Sequence, residues 1–118
     1  MKLELLIGDS KRQESSAMAE AYRHYNSHSV AIIGPASSGP TQAVSRWLSL
    51  PVMNPRRALL GYSATSAELS STEFSNFLRT PPSDTLQSEV MVQLMQGLLV
   101  GREVKQFPVH VLLGNDAN

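Results

Sequence analysis

Two short turns gather the groups able to hold a small charged molecule. Residues 34–41, GPASSGPT, place the Ser37 and Ser38 hydroxyls and several free backbone N–H groups at the opening of a helical pattern. The positive end of the helix dipole favours an anion there. The turn is not a Walker loop, because the lysine is missing. Residues 61–66, GYSATS, follow the apolar run Ala58-Leu59-Leu60 and add the Ser63 and Thr65 hydroxyls with Ala64 between them. Each turn also reads as an ordinary N-cap and loop. Asp84 opens a further helical pattern just after Thr80-Pro81-Pro82, which holds it near the same rim. An acid in a helix's first turn often only complements the dipole.

Three other constellations carry less chemistry. Gly61-Tyr62-Ser63-Ala64-Thr65 comes within one residue of the nucleophile-elbow pattern, and Ser63, Asp84 and His110 occur in the chain order of α/β-hydrolase triads. The final glycine that the tight turn needs is Thr65, and His110 falls inside an apolar strand pattern, so the chain reads as a non-enzyme. His24 and His28 have the i, i+4 spacing of a helical metal pair, but no third ligand accompanies them, and they read as a solvated helix end. Met91 and Met95, at helical spacing, read as core packing. No catalytic group, metal or cofactor is expected.

The elements that must position these turns follow from periodicity. Leu3–Ile7 reads as a strand ended by Gly8-Asp9-Ser10, and Met18, Ala21, Tyr22 and Tyr25 then share one helical face. Val30–Ile33 is fully apolar, the pattern of a parallel strand covered on both faces. Gly34-Pro35 breaks it, and a helix over 41–50 follows with Ala43, Val44, Trp47 and Leu48 on one side. Ala58–Leu60 gives a third strand. Ser83 N-caps a helix over 83–100 that carries Leu86, Val90, Leu94 and Leu98, and Phe107–Leu113 gives a fourth strand. Alternating strands and helices predict an α/β fold, a doubly wound parallel sheet in a three-layer sandwich, with Val30–Ile33 and Val109–Leu113 as central strands. In such sheets the strand-to-helix turns gather at the carboxyl edge, where ligands bind.

Bulk composition fits that reading. The 118 residues are 42% hydrophobic and 17% charged, about one soluble globular domain. Ten basic and ten acidic side chains balance, so nothing favours nucleic acid or an anionic membrane as a partner. With no cysteine, the chain has neither disulfides nor thiolate metal ligands. No run reaches the length of a membrane span, and MKLELLIGD is too short and too charged for a signal-peptide core.

The turns also carry a family pattern. VAIIGPASSGPTQAV, GYSATSAELSS and FSNFLRTPPSDTLQSEVMVQLM, in this order and spacing, resemble the extracellular ligand-binding domain of class C G-protein-coupled receptors, the metabotropic glutamate, calcium-sensing and taste receptor group. The resemblance covers about residues 29–116. It implies a Venus flytrap of the type I periplasmic-binding-protein fold, with residues 1–118 forming part of the first lobe, without its opening strand or the second lobe. It implies a membrane receptor with this segment on the extracellular side, an amino-acid-like ligand, a homo- or heterodimer, and a G protein engaged through a transmembrane part. It further implies that Ser38, in the turn with Ser37, binds the ligand carboxylate. Ser63 and Thr65, flanking Ala64, stand at the family's serine and threonine, and Asp84 at the aspartate that helps hold the α-ammonium group. The chain departs from the family by a few extra residues near Asn54–Arg57 and one fewer between Thr65 and Asp84. Amino-acid-binding proteins of ABC transporters share the fold and are the alternative.

Overall fold

The computed structural model describes residue 2, residues 4–53 and residues 57–100. Helix α1 (Glu14–Asn26) leads to strand β1 (Ala31–Ile33), helix α2 (Ser38–Leu48) and strand β2 (Ala58–Gly61). Two single 3₁₀ turns, Ala67–Ser70 and Thr72–Phe74, precede strand β3 (Phe77–Arg79) and helix α3 (Asp84–Leu99). The strands form one parallel sheet in the order β1-β2-β3.

Strand register explains which face is wet. Ile32, Leu59 and Phe77 stand side by side across the sheet and are all buried. The next row, Ile33, Leu60 and Leu78, points to the opposite face, where Ile33 and Leu78 are exposed. Alternation along a strand sends successive side chains to opposite faces. The buried row joins Ala17 and Ala21 of α1 and Val44 and Leu48 of α2 in a single core, into which Ala64, Leu69 and Phe74 also fit. Trp47 of α2 meets the Tyr25 ring edge-on at 5.6 Å and so fastens the two helices together.

Polar groups buried beneath α2 have partners. The Ser45 and Ser49 hydroxyls donate to the Asn76 side-chain oxygen at 2.6 and 3.1 Å, while the Asn76 amide donates back to the Ser45 carbonyl. Asn76 thereby ties α2 to the start of β3. Gly61 is required by a close approach of another kind: a Cβ there would lie 2.6 Å from the Phe77 ring.

Several expectations are not met among the described residues. The described residues form two layers, because both α1 and α2 join the core on one face and α3 buries no residue at all. Among the described strands β2 is the middle one and β1 has no described neighbour on its other edge, while Val30 is exposed and lies outside β1. Residues 4–7 form no strand. A strand exists only through its pairing partners, and none lies beside them among the described residues. Met91 and Met95 are exposed rather than core, since nothing described covers α3. Strand β3 was missed because it offers only two apolar residues in a row, Phe77 and Leu78, before Arg79. The Phe107–Leu113 pattern lies outside the described residues. Ser83 does cap α3, accepting from the Leu86 N–H at 3.3 Å.

Candidate functional site

The turn after β1 is shaped by its ends. Gly34 has φ +100°, a conformation that favours glycine, and its N–H donates to the Leu60 carbonyl, continuing the ladder between β1 and β2. Ser37 then N-caps α2 by position, and its carbonyl accepts from the buried Thr41 hydroxyl at 2.8 Å. Ser38 is the first residue of α2. The predicted helix started three residues later; Pro40 fits within the first turn because its missing N–H has no intrahelical acceptor there.

The turn after β2 lies directly against the first. The Ser63 hydroxyl donates to the Ala36 carbonyl at 2.7 Å, and the Ser66 N–H donates to the Ser38 hydroxyl at 3.3 Å. Ala64, only 1% exposed, plugs the turn into the core. The start of α3 closes the group from the third side: the Asp84 N–H donates to the Thr65 carbonyl at 2.9 Å. Ser37, Ser38, Ser63, Ala64, Thr65 and Asp84 therefore stand on three turns that are hydrogen-bonded to one another. Ser63 and Asp84 are exposed, while Ser38 and Thr65 are partly buried. The Thr65 carbonyl holds the turn, and its hydroxyl makes no hydrogen bond to another described residue.

Two more residues hold this arrangement: Arg79, which the sequence reading missed, and Thr80, which it placed only as the lead-in to Asp84. Arg79, at the end of β3, donates to the Ser66 carbonyl at 2.8 Å and also to the Ser70 hydroxyl. Thr80 donates its N–H to the Gly61 carbonyl at 3.0 Å, fixing the exit of β3 beside the exit of β2. The available signal was a cation immediately before TPPSD.

Among the described residues the other constellations do not assemble into sites. His28 lies beyond α1 with φ 60°, so it is off the helix that carries His24, and His24 faces Glu20 at 3.9 Å. Among the described residues no cluster of three or more potential metal ligands exists. His110 lies outside the described residues, as does any triad that uses it. A cavity of about 120 Å³ opens beside β1, lined by Ser10, Glu20, His24, Ile33, Pro35 and Tyr62 among others. It shares the Gly34–Ala36 turn with the rim but includes none of Ser38, Ser63, Thr65 and Asp84.

Residues 1–98 match the family described as "Receptor family ligand binding region". The chain belongs to that family. It is 40% identical over 80 residues to mouse taste receptor type 1 member 1, a match covering 67% of the chain. It is 42% identical over 76 residues to human G-protein coupled receptor family C group 6 member A, covering 64%. It is 33% identical over 98 residues to rice glutamate receptor 3.1, covering 80%. These matches span 9%, 8% and 10% of the relatives' own lengths. The resemblance to class C receptor ligand-binding domains is thus shown, and the relatives do not favour a transporter-linked binding protein. Among the described residues, no helix is long and apolar enough to cross a membrane.

Proposed function

We propose that the linked turns hold the α-amino-acid group of a small zwitterion, and that the chain serves a non-enzymatic receptor as part of its ligand-binding region. The observation that supports this is the direct bonding of the Ser38, Thr65 and Asp84 turns around one rim. Ser38 and the opening of α2 supply a hydroxyl and free N–H groups suited to a carboxylate. Thr65 adds a hydroxyl, and Asp84 supplies the negative charge that an ammonium group needs.

The receptor context is part of the same proposal. The chain lies on the extracellular side of a cell membrane, works as a homo- or heterodimer, and signals to a G protein through another part of the receptor. As a partial lobe it binds an amino acid weakly alone, because a flytrap gains affinity by closing its second lobe over the ligand.

Thr65→Ala in the full-length protein tests the clamp. Titration with L-alanine, the smallest chiral α-amino acid, is expected to show about a tenfold to hundredfold loss of affinity, or roughly 1.5–3 kcal/mol for a charge-assisted hydrogen bond. The melting temperature is expected to stay near that of the parent, since the hydroxyl holds no other described residue. Unchanged affinity with normal melting would return residues 63–66 to a helix-capping loop. Ser63→Ala run in parallel separates hydrolysis: loss of ester turnover with binding intact would contradict a receptor role.

A further inference from the structure

Residues 62–66 form neither helix nor strand, so no regular ladder sets their peptide planes. The Leu69 N–H donates to the Ser66 carbonyl at 3.2 Å, and Arg79 supplies the rest. Its Nη1 donates to the Ser66 carbonyl at 2.8 Å and more weakly to the Thr65 carbonyl at 3.4 Å, while Nη2 reaches the Ser70 hydroxyl. A guanidinium presents its donors in a rigid fork, so one side chain can hold two successive carbonyls and a hydroxyl together; an ammonium cannot reproduce that spread. The base of Arg79 is equally well placed. It pairs with Gly61 in the sheet register, so the cation springs from the strand beside the turn it holds.

With the Thr65 carbonyl drawn toward the cation, the opposite side of that same peptide is committed too. The Ser66 N–H reaches the Ser38 hydroxyl, and the Thr65 carbonyl can accept from the Asp84 N–H as well as from Arg79. All three turns of the rim therefore meet at the Thr65–Ser66 peptide, whose carbonyl Arg79 reaches while it holds the next one. We propose that Arg79 is the positioning residue of the rim: without touching the amino acid, it sets the orientation in which the Thr65 hydroxyl, Ser38 and Asp84 act together. This rests on the amino-acid reading above.

Two readouts on the full-length protein test it. The first is amide hydrogen exchange without ligand, following the Ser66 and Asp84 N–H groups, which donate into the rim, and the Leu59 N–H, which donates to the Asn76 carbonyl within the body. In Arg79→Ala, exchange at Ser66 and Asp84 is expected to accelerate about tenfold while Leu59 keeps its parent rate. The second is titration with L-alanine, where Arg79→Ala is expected to lose about tenfold in affinity. Arg79→Lys keeps the charge but not the fork and is expected to fall between parent and alanine variant in both readouts.

Parent-like exchange at Ser66 and Asp84 in Arg79→Ala overturns the proposal. So does acceleration of Leu59 together with them, which would make Arg79 a support of the whole body. If Thr65→Ala weakens L-alanine binding and Arg79→Ala leaves it unchanged, the amino-acid reading stands and the positioning role falls. If neither substitution changes binding, the amino-acid reading itself has failed, and the positioning role goes with it.

Discussion

Helix α2 and helix α3 make opposite use of an apolar face. Val44 and Leu48 of α2 are completely buried between α1 and the sheet, whereas Leu86, Val90, Leu94 and Leu98 of α3 are half or more exposed. The more apolar helix is the one that buries nothing. Periodic apolar residues establish that a helix has a face to cover, but the covering depends on another element arriving there. For α2 that element is supplied by the β1-α2-β2 crossover and by α1. For α3, departure from the sheet through Thr80-Pro81-Pro82 places its face beyond the reach of β1, β2 and β3.

Three substitutions sharpen or break this contrast. The largest effect is expected from Leu48→Ala, which deletes a fully buried side chain and should destabilise the body by about 2–5 kcal/mol in chemical denaturation. A change below about 1 kcal/mol would show that the core relaxes around the site and that α2 is not its anchor. Next comes Ser83→Ala. It removes the hydroxyl that accepts from the Leu86 N–H and should cost α3 about 0.5–2 kcal/mol, seen as faster amide exchange in the first turn. With no tertiary burial to compensate, α3 depends on this local cap more than α2 depends on Ser37, whose side chain makes no capping hydrogen bond. The smallest effect belongs to Leu94→Ala, within about 0.5 kcal/mol in this chain. A cost comparable to Leu48→Ala would mean that α3 is covered in solution, and the contrast between the helices would disappear.

A similar division runs through the rim. That the hydroxyl-rich turns and Asp84 are neighbours was legible because chain order places turns after parallel strands at one sheet edge, even though each turn alone also reads as an N-cap and loop. Arg79 was not, because a cation at the end of a three-residue strand has the same local pattern whether it faces water or grips neighbouring carbonyls. The bonds from Ser63 to Ala36 and from Ser66 to Ser38 span 27 and 28 residues, distances over which no local periodicity carries information.

By itself, the sequence determined the kinds of elements and their punctuation. Alternation of apolar runs with helical patterns called for a parallel α/β body, Ser83 marked a helix start that its side chain does cap, and the three turns carried the family's pattern. These are local or ordered features, set by backbone preference and by spacing along the chain. Tertiary structure alone decided which strand is central, which face of each strand is covered, and which polar groups meet. Val30–Ile33 has the composition of a doubly covered strand, yet among the described residues β1 stands at an edge with Val30 and Ile33 exposed. Burial belongs to a pair of surfaces rather than to a residue, and the partner surface is absent from the local pattern.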